Sequence, residues 1–162
     1  MHARSKGSSP YDLGHDDAKY PLERILQTAE LAAARDPAAV PFLAAAMKDS
    51  DSAVRYWGAM GLLIRGAAAP VEAHDALIAA LADPSAYVRI TAAETLIRHG
   101  APADAERAAP VLRTLADCRR NDVFTAIAAL DAFDPQEASS AWMRAAAAGL
   151  PRSGPTDRKS TR

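Results

Sequence analysis

The side chains able to do acid–base, nucleophilic or metal chemistry are few and scattered along this chain. His74 follows Glu72 by two residues, a spacing that points side chains apart on a helix and argues against a joint ligand pair. It also precedes Leu77 and Ile78 by three and four residues, the setting of a structural histidine. His15 stands beside Asp16 and Asp17, and His99 falls at a helix end, where a cation meets the dipole favourably. Cys118 is followed by Arg119 and Arg120, whose charge would lower a thiol pKa, but no base is placed to use it. As the only cysteine it has no second thiol for a disulfide or a zinc site. Glu94 either faces solvent or pairs with Arg98 four residues on. No glycine-rich phosphate loop, serine elbow or paired-carboxylate motif occurs, so we assign no catalytic residue, metal or cofactor and expect a non-enzymatic chain.

Elements must therefore carry the function, and the composition says which kind. Forty of the 162 residues are alanine, the best helix former and a poor strand former, and only 6% are aromatic. The expected class is all-α, with thin, close-packed helices. With 19 Lys and Arg against 20 Asp and Glu, there is no surplus charge to neutralise a run of phosphates, which argues against nucleic acid as the partner. No stretch approaches the roughly 18 apolar residues of a membrane helix. The polar start (Arg4, Lys6, Ser8, Ser9) is unlike a secretory signal. A cytoplasmic location is the expectation for the chain as it stands, and a periplasmic or extracellular one if it belongs to an exported hydrolase.

A repeat of 34 residues organises the middle. Residues 49–66 align with 83–100 through Asp49 and Asp83, Val54 and Val88, Arg55 and Arg89, Ala59 and Ala93, Leu62 and Leu96, and Gly66 and Gly100. A further step of 34 reaches Asp117, Ala126, Ile127 and Leu130, with Asp122 and Val123 in place of the Val-Arg pair. Leu43, Leu77 and Val111 recur in the preceding halves, as do Met47, Leu81 and Leu115, so each unit is a helix pair. Capping residues, prolines and glycines predict helices over 36–48, 52–66, 71–82, 86–99, 104–116 and 122–133. A helix over 21–35, with Leu22, Ile25, Leu26 and Ala29 on one face, and another over 134–148 through Trp142 are expected to cap the ends. The organisation is then a flexible arm at 1–19, an α-solenoid of about eight helices at 20–149 and a disordered basic tail at 150–162.

Within each unit, Asp49 and Asp83 precede an arginine by six residues. That places a carboxylate in the inter-helix turn and a guanidinium one turn into the next helix. Arg55 and Arg89 can then bond turn carbonyls or the Asp of a neighbouring unit, a structural ladder of Asp49, Arg55, Asp83 and Arg89. Tyr56, Ile90 and Phe124 share one position and are expected to pack between layers. Trp57 shares the next with Thr91 and Thr125, whose polarity suggests a wet face. The candidate interaction surface is accordingly Arg55, Trp57, Arg89 and Glu94.

The order Asp, Val-Arg, Ala-Ala, Leu, Gly resembles a HEAT-like repeat. More narrowly, residues 20–26 (Tyr20, Pro21, Leu22, Glu23, Arg24, Ile25, Leu26) with Asp51, Val54, Arg55, Tyr56, Trp57, Ala59, Gly61 and Leu62 resemble the C-terminal HEAT extension of certain bacterial sulfatases. Val88, Arg89, Ile90, Ala92, Ala93, Glu94 and Leu96 fit it as well, whereas Gly58 stands where alanine is expected. The likeness implies an accessory domain whose partner is a sulfatase-type catalytic domain, in cis or in trans. That domain's nucleophile motif has Pro two residues after Cys or Ser and then Arg, while Cys118 is followed by Arg119, Arg120 and Asn121. An independent HEAT-like protein of the bilin-lyase or assembly-factor type, binding a protein partner, is the alternative.

Overall fold

The computed structural model describes residues 20–132. The expected arm with His15, the 134–148 helix with Trp142 and the basic tail lie outside the described residues. Those described form eight α-helices and one 3-10 turn, with no strand among them.

Helix α1 (Leu22–Ala33) follows Pro21 and buries Ile25, Thr28 and Ala32. The expected stripe included Leu26, which is instead 51% exposed. Thr28 can take the inner position because its hydroxyl donates to the Arg24 carbonyl at 2.7 Å, so no polar group is stranded. Asp36 then caps a 3-10 turn (Pro37–Ala39) that runs into α2 (Val40–Ala46).

Asp51 opens α3 (Ser52–Ile64) by accepting from the Ala53 and Val54 amides, and Gly66 closes it at φ +62°, the left-handed conformation that glycine adopts without strain. The next expected helix, 71–82, is two: α4 (Ala68–Glu72) and α5 (His74–Ala80), broken at Ala73 with φ −120° and ψ 22°. Pro70 accounts for the early start, since its fixed φ and missing N–H suit a first helical turn. Helix α6 (Ala86–His99) keeps the expected span, and α7 (Pro102–Leu115) starts two residues early because Pro102 again fits a first turn. Helix α8 (Val123–Asp131) is capped by Asp122, which accepts from the Phe124 and Thr125 amides.

Each second helix lies against its own first helix and against the second helices of its neighbours: α3 touches α1, α2 and α6, and α6 touches α3, α5, α7 and α8. One continuous core results, from Ala32 to Ala132. Three positions recur in its second-helix row: Val54, Gly58 and Gly61; Val88, Ala92 and Thr95; Thr125, Ala129 and Ala132, all buried. The third row corrects the 34-residue step. Helices α3 and α6 start 34 residues apart, but α8 starts 37 residues after α6. The Val-Arg pair is therefore answered by Thr125 and Ala126, while Asp122 is a cap. In the first helices Leu43 and Leu77 are answered by Leu112, fully buried like them, whereas Val111 is only half-buried.

Candidate interaction surface

The turns build the most ordered polar array of the described residues. In each, the first aspartate folds back on its own loop: Asp49 Oδ1 accepts from the Asp51 amide and Asp83 Oδ1 from the Ser85 amide, both at 2.7 Å, and Asp117 Oδ1 from the Arg119 amide at 3.0 Å. This local bond satisfies a turn donor, and at Asp49 and Asp83 the carboxylate also meets an arginine of a neighbouring helix. Arg24 Nη1 donates to Asp49 Oδ2 at 2.8 Å. Arg55 takes Asp83 in a fork, Nε to Oδ2 at 2.7 Å and Nη2 to Oδ1 at 3.0 Å, while its Nη1 donates to the Asp49 and Ser50 carbonyls at 2.9 Å each.

One guanidinium thus ties the turn before α3 to the turn before α6, and the Asp83 hydrogen bond holds its pKa above the usual arginine value. The partners are largely withdrawn from water, 13% and 8% exposed, where a bidentate charged pair is strongest. Arg89 donates from Nη1 to the Asp83 and Pro84 carbonyls. Asp117 lies 3.5 Å from Arg120 of its own turn. Asp49, Arg55, Asp83 and Arg89 thus come together in one polar chain, which Arg24 extends at the α1 end.

Trp57 is half-buried against the core, its ring edge-to-face with Tyr56 at a centroid distance of 5.7 Å. The wet face expected around it is corrected. Thr91 and Thr125 are both only 4% exposed; Thr91 donates to the Tyr87 carbonyl at 3.0 Å and Thr125 to Asp122 Oδ2 at 2.7 Å. Their hydroxyls are inward and internally satisfied, an arrangement their polarity alone conceals. Phe124 does not pack between layers, being 72% exposed; the three-residue shift puts Ile127 at the position of Ile90. Glu94 accepts from Arg98 Nε at 3.0 Å. Burial raises its pKa, Arg98 opposes that, and Asp131 of α8 adds to it.

Two polar sites carry more than their sequence neighbourhoods suggest. His74 Nε2 lies 2.8 Å from Asp104 Oδ1, and Asp104 Oδ2 accepts from the Ala101 amide at 3.0 Å, so α5 is linked to the start of α7. The shared hydrogen bond raises the histidine pKa and lowers that of the aspartate. Arg65 donates to four carbonyls, those of Leu31 (2.7 Å), Ala32 (3.1 Å), Asp36 (3.0 Å) and Gly61 (2.9 Å). It closes the end of α1, where Arg35 adopts a left-handed φ of 57°. The available signal was a basic residue in the last turn before Gly66.

Among the described residues no group of three or more His, Cys, Asp and Glu side chains could hold a metal, and Cys118 is half-buried. An open groove of about 320 Å³ between α2 and α5 includes Lys48 and Asp75, and its Asp83 is already held by Arg55. No described helix is long and apolar enough to cross a membrane. No protein-family model matches the chain, and no curated protein matches it.

Proposed function

We propose that this chain is a non-catalytic α-solenoid of HEAT-like helix pairs that serves as a scaffold or protein-interaction domain, docking on a sulfatase-type catalytic domain in cis or in trans. The observation that carries the reading is the recurrence of one buried triplet, Val54/Gly58/Gly61, Val88/Ala92/Thr95 and Thr125/Ala129/Ala132, on second helices that touch in succession. Tandem units of this kind offer long outer faces rather than a reactive cleft. Arg55 and Glu94 of the expected interaction face hold ion pairs within the chain, with Asp83 and Arg98. Phe42 and Val71, 68% and 83% exposed on the touching helices α2 and α4, are apolar side chains open to a partner.

The test has two parts. The DNA upstream should encode an alkaline-phosphatase-like domain with the nucleophile motif, in frame or as a neighbouring gene. That domain, mixed with this chain, should sediment as a one-to-one complex that Phe42→Ser with Val71→Ser weakens at least tenfold. Absence of such a domain, or failure of the two to associate, removes the sulfatase reading.

A further inference from the structure

The matched rows of the second helices set side chains next to one another along one outer face. Tyr87 of α6 is answered by Phe124 of α8, and both are open, at 44% and 72% exposure. Ile127, one turn further along α8, is 57% exposed. A turn beyond that, Glu94 of α6 is answered by Asp131 of α8. These groups are neighbours in space as well as in register. Tyr87 and Glu94 both act on the hydroxyl of half-buried Tyr56 in α3, and Asp131 acts on Glu94. On α3 the same two rows carry Ala53 and Met60, so the combination of aromatic and acid belongs to α6 and α8.

Open aromatic and aliphatic side chains on touching helices form a contact patch, and aromatics anchor such contacts. Charge then selects the occupant. Arg98, the cation one turn beyond Glu94, already holds it at 3.0 Å. Asp131 is exposed and makes no ion pair among the described residues, so the acidic row keeps an excess negative charge. A second copy seated here by two-fold symmetry would bring the same two carboxylates and the same engaged arginine. A nucleic acid would bring phosphates to carboxylates. Lysine or arginine beside apolar side chains relieves the excess charge and adds cation–π contact with Tyr87 and Phe124. The aromatic and acidic rows are seven residues apart on each helix, roughly 10 Å, which about three residues of extended chain cover.

We propose that the Tyr87, Phe124 and Ile127 face of α6 and α8, edged by Glu94 and Asp131, docks an extended segment of a partner protein that carries lysine or arginine next to apolar side chains. This docking rests on the helix-pair reading above and not on a sulfatase partner, since Phe42 and Val71 belong to α2 and α4. The probe is a fluorescein-labelled peptide of two Leu-Leu-Ser-Lys-Lys units, titrated with the full-length protein and read by anisotropy. It should bind saturably, at least tenfold more tightly than the same peptide with glutamate in place of lysine. Raising salt from about 0.05 to about 0.5 M should weaken it severalfold. Phe124→Ser and, separately, Glu94→Gln with Asp131→Asn should each weaken it at least fivefold with unchanged circular dichroism, whereas Phe42→Ser with Val71→Ser should leave it unchanged. The charge-reversed peptide tests the same point on the unaltered protein, should a variant fail to fold. Lack of saturable binding, equal binding of the two peptides, or binding that survives both sets of substitutions overturns the proposal. A dimer of the full chain that Phe124→Ser dissociates also overturns it, and assigns the face to a second copy. Failure of a sulfatase-type domain to associate leaves all of these readings as they are.

Discussion

At the scale of single residues, the stability of the turns rests on how completely each arginine is used. Arg55 satisfies both oxygens of a nearly buried carboxylate and two turn carbonyls, whereas Arg89 meets two carbonyls and Arg98 one exposed-side pair with Glu94. Removing Arg55 strands Asp83, so Arg55→Ala should cost about 3 kcal/mol, the scale for orphaning one member of a withdrawn ion pair. Arg89→Ala should cost about 1–2 kcal/mol for its lost hydrogen bonds, and Arg98→Ala less than about 1 kcal/mol. Urea midpoints should follow that order, and equal midpoints for Arg89→Ala and Arg98→Ala would refute the ladder. The Asp-to-Arg spacing of six makes this chain legible before any coordinates. The four-carbonyl role of Arg65 is not, because its acceptors come from α1 and the turn beyond it as well as from its own helix.

The His74–Asp104 pair sets a pH dependence whose sign is fixed by the two shifts. The histidine pKa is raised, so its contribution is full below the ordinary value of 6.5 and is lost as pH rises through the folded value. The aspartate pKa is lowered, so its contribution is present above the ordinary 3.8 and is lost as pH falls through the folded value. The pair therefore stabilises most between about pH 4 and 6.5. His74→Gln should flatten the fall in melting temperature between about pH 6 and 8. A parent protein whose stability does not fall across that range would show that the pair does not form in solution.

At the scale of elements, the separation of α2 and α3 is set by glycine. A Cβ at Gly58 would stand 2.8 Å from the Leu43 carbonyl oxygen and 3.1 Å from the Met47 amide nitrogen, backbone atoms that cannot move aside cheaply. This is why glycine stands where the resemblance leads one to expect alanine, while its counterparts Ala92 and Ala129 carry a methyl and remain fully buried. On an open helix, Gly→Ala gains about 1 kcal/mol. Here the overpacking of about 1–3 kcal/mol should win, leaving Gly58→Ala destabilised in thermal melts. A more stable Gly58→Ala would mean the helices are farther apart than this geometry.

The legibility of the elements obeys the same division between local and distant causes. Asp36, Asp51 and Asp122 fix helix starts through bonds to amides two or three residues on, and such signals can be read from a few letters. The three-residue lengthening before α8 could not be, because Cys118, Arg119, Arg120 and Asn121 offer no large apolar residue to keep register, and Ala126 and Leu130 match at the wrong step by chance in an alanine-rich chain. The inward Thr91 and Thr125 are hidden for a related reason: a threonine's burial depends on an acceptor within its own helix or cap, which polarity scales ignore.

At the scale of the whole molecule, helix α6 is the hub, in contact with α3, α4, α5, α7 and α8, whereas α1 at the end of the row touches chiefly α3 and α2. If stability is a sum of unit and neighbour-interface terms, an insult at the hub must loosen both directions at once, and one at the end should fray locally. Leu96 is fully buried in α6, so Leu96→Ala should cost about 2–5 kcal/mol and raise amide exchange in every helix. Ile25 lies in α1 at 7% exposure, and Ile25→Ala should speed exchange across α1 and at its contacts in α3 while leaving α6 protected. Hydrogen exchange read by mass spectrometry separates the two patterns. Equal loss of protection in α6 from both substitutions would mean that the described helices unfold as one indivisible unit, and the layered architecture on which a scaffold role depends would fall with it.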